Sequence, residues 1–354
     1  MATPTATVVA RPPSGPRRSR RLRTRLLVVV AALVLLALAL VLGLAVGARP
    51  VAFDDVVRIL FGGRTAGDSA DVAAVIDLRL PRTVAALVAG AGLGVAGAVA
   101  QAVTRNPLAD PGILGVTSGS AFAVALAVGF AGVTAASGWV WFSFAGAAVA
   151  TVVVALIGGS GRSGASPARL SLAGIAFGAV LSGITSAIVL ADPRRFDAVR
   201  AWEVGSLADR GWASVGTVAP FVVAGLVVAL IASRPLDAVS LGDDHAASVG
   251  VSVTRTRIAS LIVITLLAGG ATAIIGPVAF VGLIVAHAAR GLVGPSQPWI
   301  IAVSTLFGPA LLLLADVLGR VAAPPGELAA GLVTAALGAP VLIAIARRRR
   351  VGGA

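Results

Sequence analysis

The sequence predicts an all-α polytopic membrane protein with about ten transmembrane helices. Three observations carry that reading. Of 354 residues, 58% are hydrophobic and 12% charged, and the mean hydropathy is +0.99, outside the range of soluble globular domains. Uncharged runs of spanning length recur along the chain. The basic residues are clustered: seven arginines lie between Arg11 and Arg25, and four form Arg347–Arg350. The net charge of +13 therefore reads as anchoring near anionic membrane lipid, with no nucleic acid as partner.

Residues 1–25, rich in Pro, Ser, Thr and Arg, read as a disordered basic tail, and 347–354 as a second basic tail. The membrane domain is 26–346. Leu26–Ala48 carries no charge and is longer than the ~7–15 residues of a signal-peptide core, so it is a first span. Nine further spans are predicted: Thr83–Thr104, Ile113–Val133, Gly138–Ile157, Leu170–Ala191, Ala213–Ser233, Ile258–Ile275, Val278–Ala289, Trp299–Ala315 and Leu328–Ala346. The eighth is short for a bilayer, which implies tilt or burial among other spans. In the second span Gly90, Gly94 and Gly97, with Ala86 and Ala98, form a small-residue strip suited to close helix contact, and Gln101 follows near its inner end.

Ten spans place both termini on one side. With the ends inside, the inner segments hold 18 of the 28 arginines, which favours cytoplasmic termini. The loop 236–253 then faces the cytoplasm. Two outer segments are long. Arg49–Arg82 contains an amphipathic patch from Phe53 to Phe61 that reads as a helix on the membrane surface. Asp192–Trp212 holds Trp202 and Trp212, expected as interfacial anchors.

Several chemistries are excluded by composition. Without Cys there is no disulfide or thiol nucleophile, and without Lys there is no Schiff base and no P-loop. If ATP drives this protein, another chain binds it. His245 and His287 are too few for a His-rich metal site. A membrane-embedded enzyme would need a converging nucleophile, base and metal ligands, which the sequence does not offer.

The polar stretch Leu236–Val253 stands out between apolar runs. Asp243 suits an N-cap, Ala246 and Val249 fall on one helical face, and Gly250 can close the helix. Such a short helix either is gripped by a soluble partner or is a solvated loop. At Arg79-Leu80-Pro81-Arg82, Pro81 suits a first helical turn, and the two arginines face either an acidic external partner or lipid headgroups. Asn106, Pro107 and Leu108 open a tight turn that runs to Val116. Gly276-Pro277 breaks a helix at membrane depth, and His287 beyond it is either a proton relay or a structural group. Asp316 and Arg320 are spaced to pair, and Glu327 is placed to begin the last span. Asp316 is the one acid close to a span interior. An ion-coupled secondary transporter, the rival reading, would depend on it; such proteins keep several midplane acids, so its isolation favours an external energy source.

Together these pieces resemble the FecCD-type permease family, the membrane subunits of ABC importers for iron-siderophores, haem and cobalamin. The ordered set is Arg79–Arg82, the glycine strip with Gln101, Asn106–Ala109, Gly112–Val116, Ser118-Gly119, Leu172–Gly174, Trp202 with Gly205–Leu207, Leu241-Gly242 with Ala246 and Gly250-Val251, Gly276–Arg290, Ala315-Asp316 with Arg320, Glu327-Leu328 and Gly338–Pro340. The resemblance implies a type II ABC-importer permease: ten spans and a dimer, of two like or two related permease subunits, around one pathway. It implies a bacterial cell membrane and a metal-chelate cargo, with no cofactor on this chain because ATP and Mg bind the partner ATPase subunit. It assigns the ATPase-coupling loop to Leu241, Gly242, Asp243, Asp244, Ala246 and Gly250, and docking of an extracytoplasmic substrate-binding protein to Arg79, Arg82 and Arg320. The pathway and gate would involve Ser166, Gly174, Gly178 and Ser182. Three positions depart from the family pattern, Ala286, Ala329 and Leu342, the first two where proline is usual.

Overall fold

In a computed structural model the described residues are 16–47, 51–62, 69–133, 136–159, 167–192, 196–324 and 326–351. The elements are α1 (Pro16–Ala45), α2 (Phe53–Gly62), α3 (Ser69–Val72), α4 (Leu80–Thr104), α5 (Val116–Phe130), α6 (Ala136–Gly159), α7 (Pro167–Ala191), α8 (Asp197–Glu203), α9 (Trp212–Leu241), α10 (Asp243–Ser248), α11 (Val253–Ile264), α12 (Gly270–Ile275), α13 (Val281–Val293), α14 (Gln297–Ala322) and α15 (Ala330–Val351). A π-helical turn, Ala73–Arg79, joins α3 to α4, and another, Thr265–Gly269, joins α11 to α12. Seven helices among the described residues are long and apolar enough to cross a membrane, and three shorter apolar helices (Val116–Phe130, Val281–Val293, Ala330–Ile345) fall where the remaining spans were predicted.

The centre of the fold is α4. In the continuous helix Ala70–Thr104, 83% of the most apolar window is buried, against 17% for α1, so α4 is wrapped by protein and α1 lies at the periphery. The glycine strip explains how the neighbours get so close. Gly90 meets Gly308 and Pro309 of α14, Gly94 meets the Ser304 carbonyl, and Gly97 meets Gly282 of α13; a Cβ at Gly90, Gly94 or Gly97 would collide with backbone. Helices without a hydrophobic driving force between them associate through such close backbone packing. The helices α5, α6 and α7 pack mutually as a second group beside this core.

Several boundaries differ from the sequence expectation. The helix α1 starts at Pro16, so the described part of the N-terminal tail is helical, and α15 runs through the arginines to Val351. Arginine is a good helix former, and nothing after Pro16 or Pro340 breaks either run. The second span begins at Ser69 rather than Thr83, because the stretch before Pro81 is helical through its π turn. The surface patch does form α2, with Val56 and Ile59 buried and Phe61 fully presented outward. Trp202 is not an interfacial anchor: it is buried and packs edge-on to Trp139, with ring centroids 6.5 Å apart, whereas Trp212 is exposed.

The short eighth span has a physical cause. After α12 ends at Ile275, residues 276–280 leave the helix, and α13 begins beside Gly97, well down α4. Gly276 (φ 81°) lies against the Trp202 carbonyl and Gly205 against the Pro277 carbonyl, while Phe280 holds φ 69°, a strained value for a residue with a side chain. Gly276 and Val278 of this non-helical segment are thus buried against protein, as freed backbone must be where lipid offers no hydrogen bonds.

Candidate functional site

At one end of the helix bundle, the long α9 stops at Gly242 (φ 137°), turns, and α10 follows at once. Asp243 is the first residue of α10, not its N-cap, and no side chain caps this helix. Its carboxylate instead gathers two arginines. Arg257 of α11 donates from one Nη to both carboxylate oxygens (3.1 and 2.9 Å), and Arg105, the left-handed C-cap of α4 (φ 51°), ion-pairs with Oδ1. Arg105 Nε also donates to the Val239 carbonyl (3.0 Å). Asp243 therefore fastens α10 to the central helix and to α11. Ala246 is the fully buried residue of α10, and Gly250 (φ 78°) closes the turn by donating to the Ala247 carbonyl. Val249, expected on one helical face with Ala246, is exposed because α10 ends at Ser248 and Val249 leaves the helix. What remains open to solvent is a patch of Leu241 (71% exposed), Asp244, His245 and Val249 (57%). Two large apolar side chains thus stand exposed at a polar end, rimmed by charge.

The turn after α4 lies beside this patch. Asn106 Oδ1 accepts from the Leu108 N–H (3.0 Å), an Asx turn of the kind expected before Pro107. Asp110 then caps the short 3₁₀ turn Pro111–Leu114 through the Gly112 N–H (3.0 Å) and also accepts from the Phe280 N–H. It thus ties the turn to the strained end of the re-entrant segment. Burial of its carboxyl pushes the pKa up to about 6, against those two hydrogen bonds, which favour the charged form. A pKa raised on folding means that the native state holds the proton more tightly. The stabilisation is complete below the unfolded pKa near 3.8 and is lost as pH rises through about 6. Thermal stability should fall over that interval, and Asp110→Asn, which keeps an acceptor oxygen, should flatten the fall and raise the melting temperature at neutral pH.

The opposite end carries a charged cluster. Arg82 grips Asp316 with Nε and Nη2 (2.7–3.1 Å) and reaches Glu327 (2.8 Å). Arg320 pairs with the other Asp316 oxygen (2.7 Å) and donates to the Gly43 and Val46 carbonyls (2.9 and 2.6 Å). Arg79 donates to the Leu44 and Ala45 carbonyls (2.7 and 2.9 Å). These four carbonyls are at the C-terminal end of α1, where no further helical turn exists to satisfy them. Arg79, Arg320 and Asp316 are all buried. The arginines expected as outward docking charges are therefore turned inward, because α1 and Asp316 supply closer acceptors. Glu327 precedes α15 instead of starting it and serves as the exposed rim of the cluster.

The expected pathway residues also separate. Ser166 lies outside the described residues. Gly174 is buried against the Ile113 carbonyl and Gly178 against Ser118, so both belong to the face of α7 that packs on the 3₁₀ turn and α5. Ser182 is exposed, with its hydroxyl 3.3 Å from that of Ser118. The open face of α7 is mostly apolar, with Leu172, Ile175, Val180 and Ile184 unpartnered in the single chain. Among the described residues there is no group of three or more His, Cys, Asp or Glu able to hold a metal ion.

The sequence profile of the FecCD transport family matches residues 35–348. The chain belongs to the FecCD transport family. It is 46% identical over 332 residues to the ferric enterobactin transport system permease protein FepD of Escherichia coli, covering 94% of this chain and 98% of FepD. It is 38% identical over 330 residues to the iron(3+)-hydroxamate import system permease protein FhuB of Bacillus subtilis, covering 92% and 84%. Its fold is similar to a solved inward-facing structure of an ABC transporter assigned to the metal-chelate type, with a TM-score of 0.77 and 26% identity over 91% of this chain and 99% of that one. FecCD membership makes the chain a permease component of an ABC transporter, with no catalytic step of its own, and removes the ion-coupled reading. In this FecCD chain Asp316 is consequently a structural counter-ion. Arg105, Arg257 and Asp110 were not singled out from sequence; the signal for the first was its place as the last basic residue before an Asn-Pro turn.

Proposed function

We infer that this FecCD-family chain is the membrane permease subunit of an ABC importer that carries a ferric-siderophore chelate into the cell. The similarity to FepD over nearly the whole of both chains supports a ferric tricatecholate of the enterobactin type as the first cargo to test. The observation that carries the mechanism is the pairing of an exposed apolar patch, Leu241 and Val249, with Asp243 fastened beneath it to α4 and α11. A partner gripping α10 would pull on the central helix directly.

The partner is an ATPase subunit, which takes the patch at the cytoplasmic end and leaves both termini cytoplasmic, in accord with the arginine distribution. A second permease subunit, identical or related, covers the open face of α7, and the pathway runs between the two. Nucleotide then biases a two-state change of access. A substrate-binding protein delivers cargo at the other end, where Arg82 and Glu327 form the rim of the charged cluster.

The test is uptake of radio-iron as ferric enterobactin in cells that lack their own permease but express the matching ATPase and binding protein. The wild-type chain should restore uptake. Leu241→Glu with Val249→Glu should lower it at least tenfold at equal membrane abundance, and the ATPase should no longer co-purify. Full uptake with the double variant would remove the patch as the coupling surface; failure of the wild type with enterobactin but success with a hydroxamate would move the cargo class alone.

A further inference from the structure

We propose that a cleft between the first turns of α1 and the α13–α14 loop binds the headgroup of an anionic phospholipid. The cleft has a volume of about 700 Å³ and is lined by Arg20, Arg21, Thr24, Arg25, Leu292 and Gly294, among others. That size suits a glycerophosphate headgroup.

The lining divides its work. Arg25 is fixed: its Nε donates to the Val293 carbonyl (3.1 Å) and its guanidinium lies 5.5 Å from the Trp299 ring centroid. It forms a positive wall and joins α1 to the loop. Arg20 and Arg21 are exposed, and neither guanidinium has a partner among the described residues. Two free guanidiniums beside a third held cation form a site for phosphate oxygens, which arginine can bind with two parallel hydrogen bonds. The Thr24 hydroxyl is occupied, donating to the Arg20 carbonyl (3.0 Å), so the arginines carry the recognition.

The apolar surroundings identify the source of that phosphate. Directly after Arg25, Leu26 (51% exposed), Leu27 (62%) and Val30 (57%) face outward along α1, and Leu292 is half exposed at the rim. A soluble phosphate gains nothing from that surface, whereas acyl chains do. A zwitterionic lipid carries its own ammonium and neutralises much of the attraction; an anionic lipid does not. Basic pockets between membrane helices are suited to such headgroups. The cleft also adjoins the proposed coupling end: Asp237, in the last turns of α9, accepts from the Gln297 N–H (2.6 Å) at the start of α14, two residues before Trp299. A lipid seated here would brace α1 against the helices that lead to α10.

The test is native mass spectrometry of the assembled transporter offered phosphatidylglycerol, phosphatidylcholine or inorganic phosphate. Phosphatidylglycerol should be retained at least fivefold over phosphatidylcholine, and millimolar phosphate should not displace it. Arg20→Gln with Arg21→Gln should lower retention at least fivefold, while Arg255→Gln with Arg347→Gln, which removes the same charge from exposed positions elsewhere, should leave it unchanged. Equal retention of the two lipids, displacement by phosphate, or equal loss in both double variants would overturn the proposal. Should the first double variant fail to assemble, the lipid comparison on the wild-type transporter still decides it.

Discussion

Replacing Asp316 with alanine should destabilise the folded chain by about 3–5 kcal/mol, the range for removing one partner of a buried ion pair. The carboxylate is 1% exposed and is shared by Arg82 and Arg320, so its loss strands two guanidiniums in a low-dielectric interior. Arg320 would keep its carbonyl partners on α1 and Arg82 would keep Glu327, which limits the damage but leaves a net buried positive charge. The expected readout is a sharp fall in detergent-extracted monodisperse protein and a lowered melting temperature. Asp316→Asn should be milder, since an amide oxygen still accepts, though it removes the charge. The asparagine variant also separates stability from energetics. Any of it that reaches the membrane should still transport when ATP is supplied, because the role left to Asp316 is to balance the charge of Arg82 and Arg320. Abolished transport in well-folded Asp316→Asn protein would return Asp316 to the pathway.

Asp243→Arg should uncouple the transporter. It replaces the one acid between Arg105 and Arg257 with a third cation, so α10 loses both fastenings at once. The site is partly exposed, and surface ion pairs contribute little to global stability, so the bundle should remain folded. The loss should fall on transmission: cargo uptake reduced at least tenfold while the ATPase still hydrolyses ATP. Arg257→Ala and Arg105→Ala each remove one of the two ties and should give intermediate uptake. Arg105→Ala should be the more damaging, because it also removes the Arg105 bond to the Val239 carbonyl, leaving that carbonyl only the Gly242 N–H, and alters a left-handed cap. Normal coupling in Asp243→Arg would mean that α10 transmits motion without Asp243.

These two acids show what a sequence can and cannot reveal here. The spans were legible because uncharged runs of bilayer length have few alternatives, and the strip at Gly90, Gly94 and Gly97 announced close packing by its spacing. The stretch 236–253 was legible as a polar island. The direction of its side chains was not: whether Asp243 caps its own helix or reaches Arg257 depends on how α9, α10 and α11 fold back on one another. The direction of the outer arginines was hidden for the same reason. The i,i+4 pairing of Arg320 with Asp316 was legible from spacing, but the carbonyls at the end of α1, 34 to 277 residues from Arg79 and Arg320, and the reach of Arg82 to Asp316, 234 residues away, were not. The resemblance alone points to Gly174 and Gly178 as pathway residues; in the fold their smallness admits the Ile113 carbonyl and Ser118.

On the proposed function, nucleotide on another subunit works this chain as a gate. The direct measurement is ferric-siderophore uptake into proteoliposomes that contain the permease and binding protein, with and without the ATPase, under imposed proton and sodium gradients or with ATP. Uptake should require both the ATPase and hydrolysable ATP and should ignore the gradients. Accumulation driven by either gradient with the permease alone would contradict it.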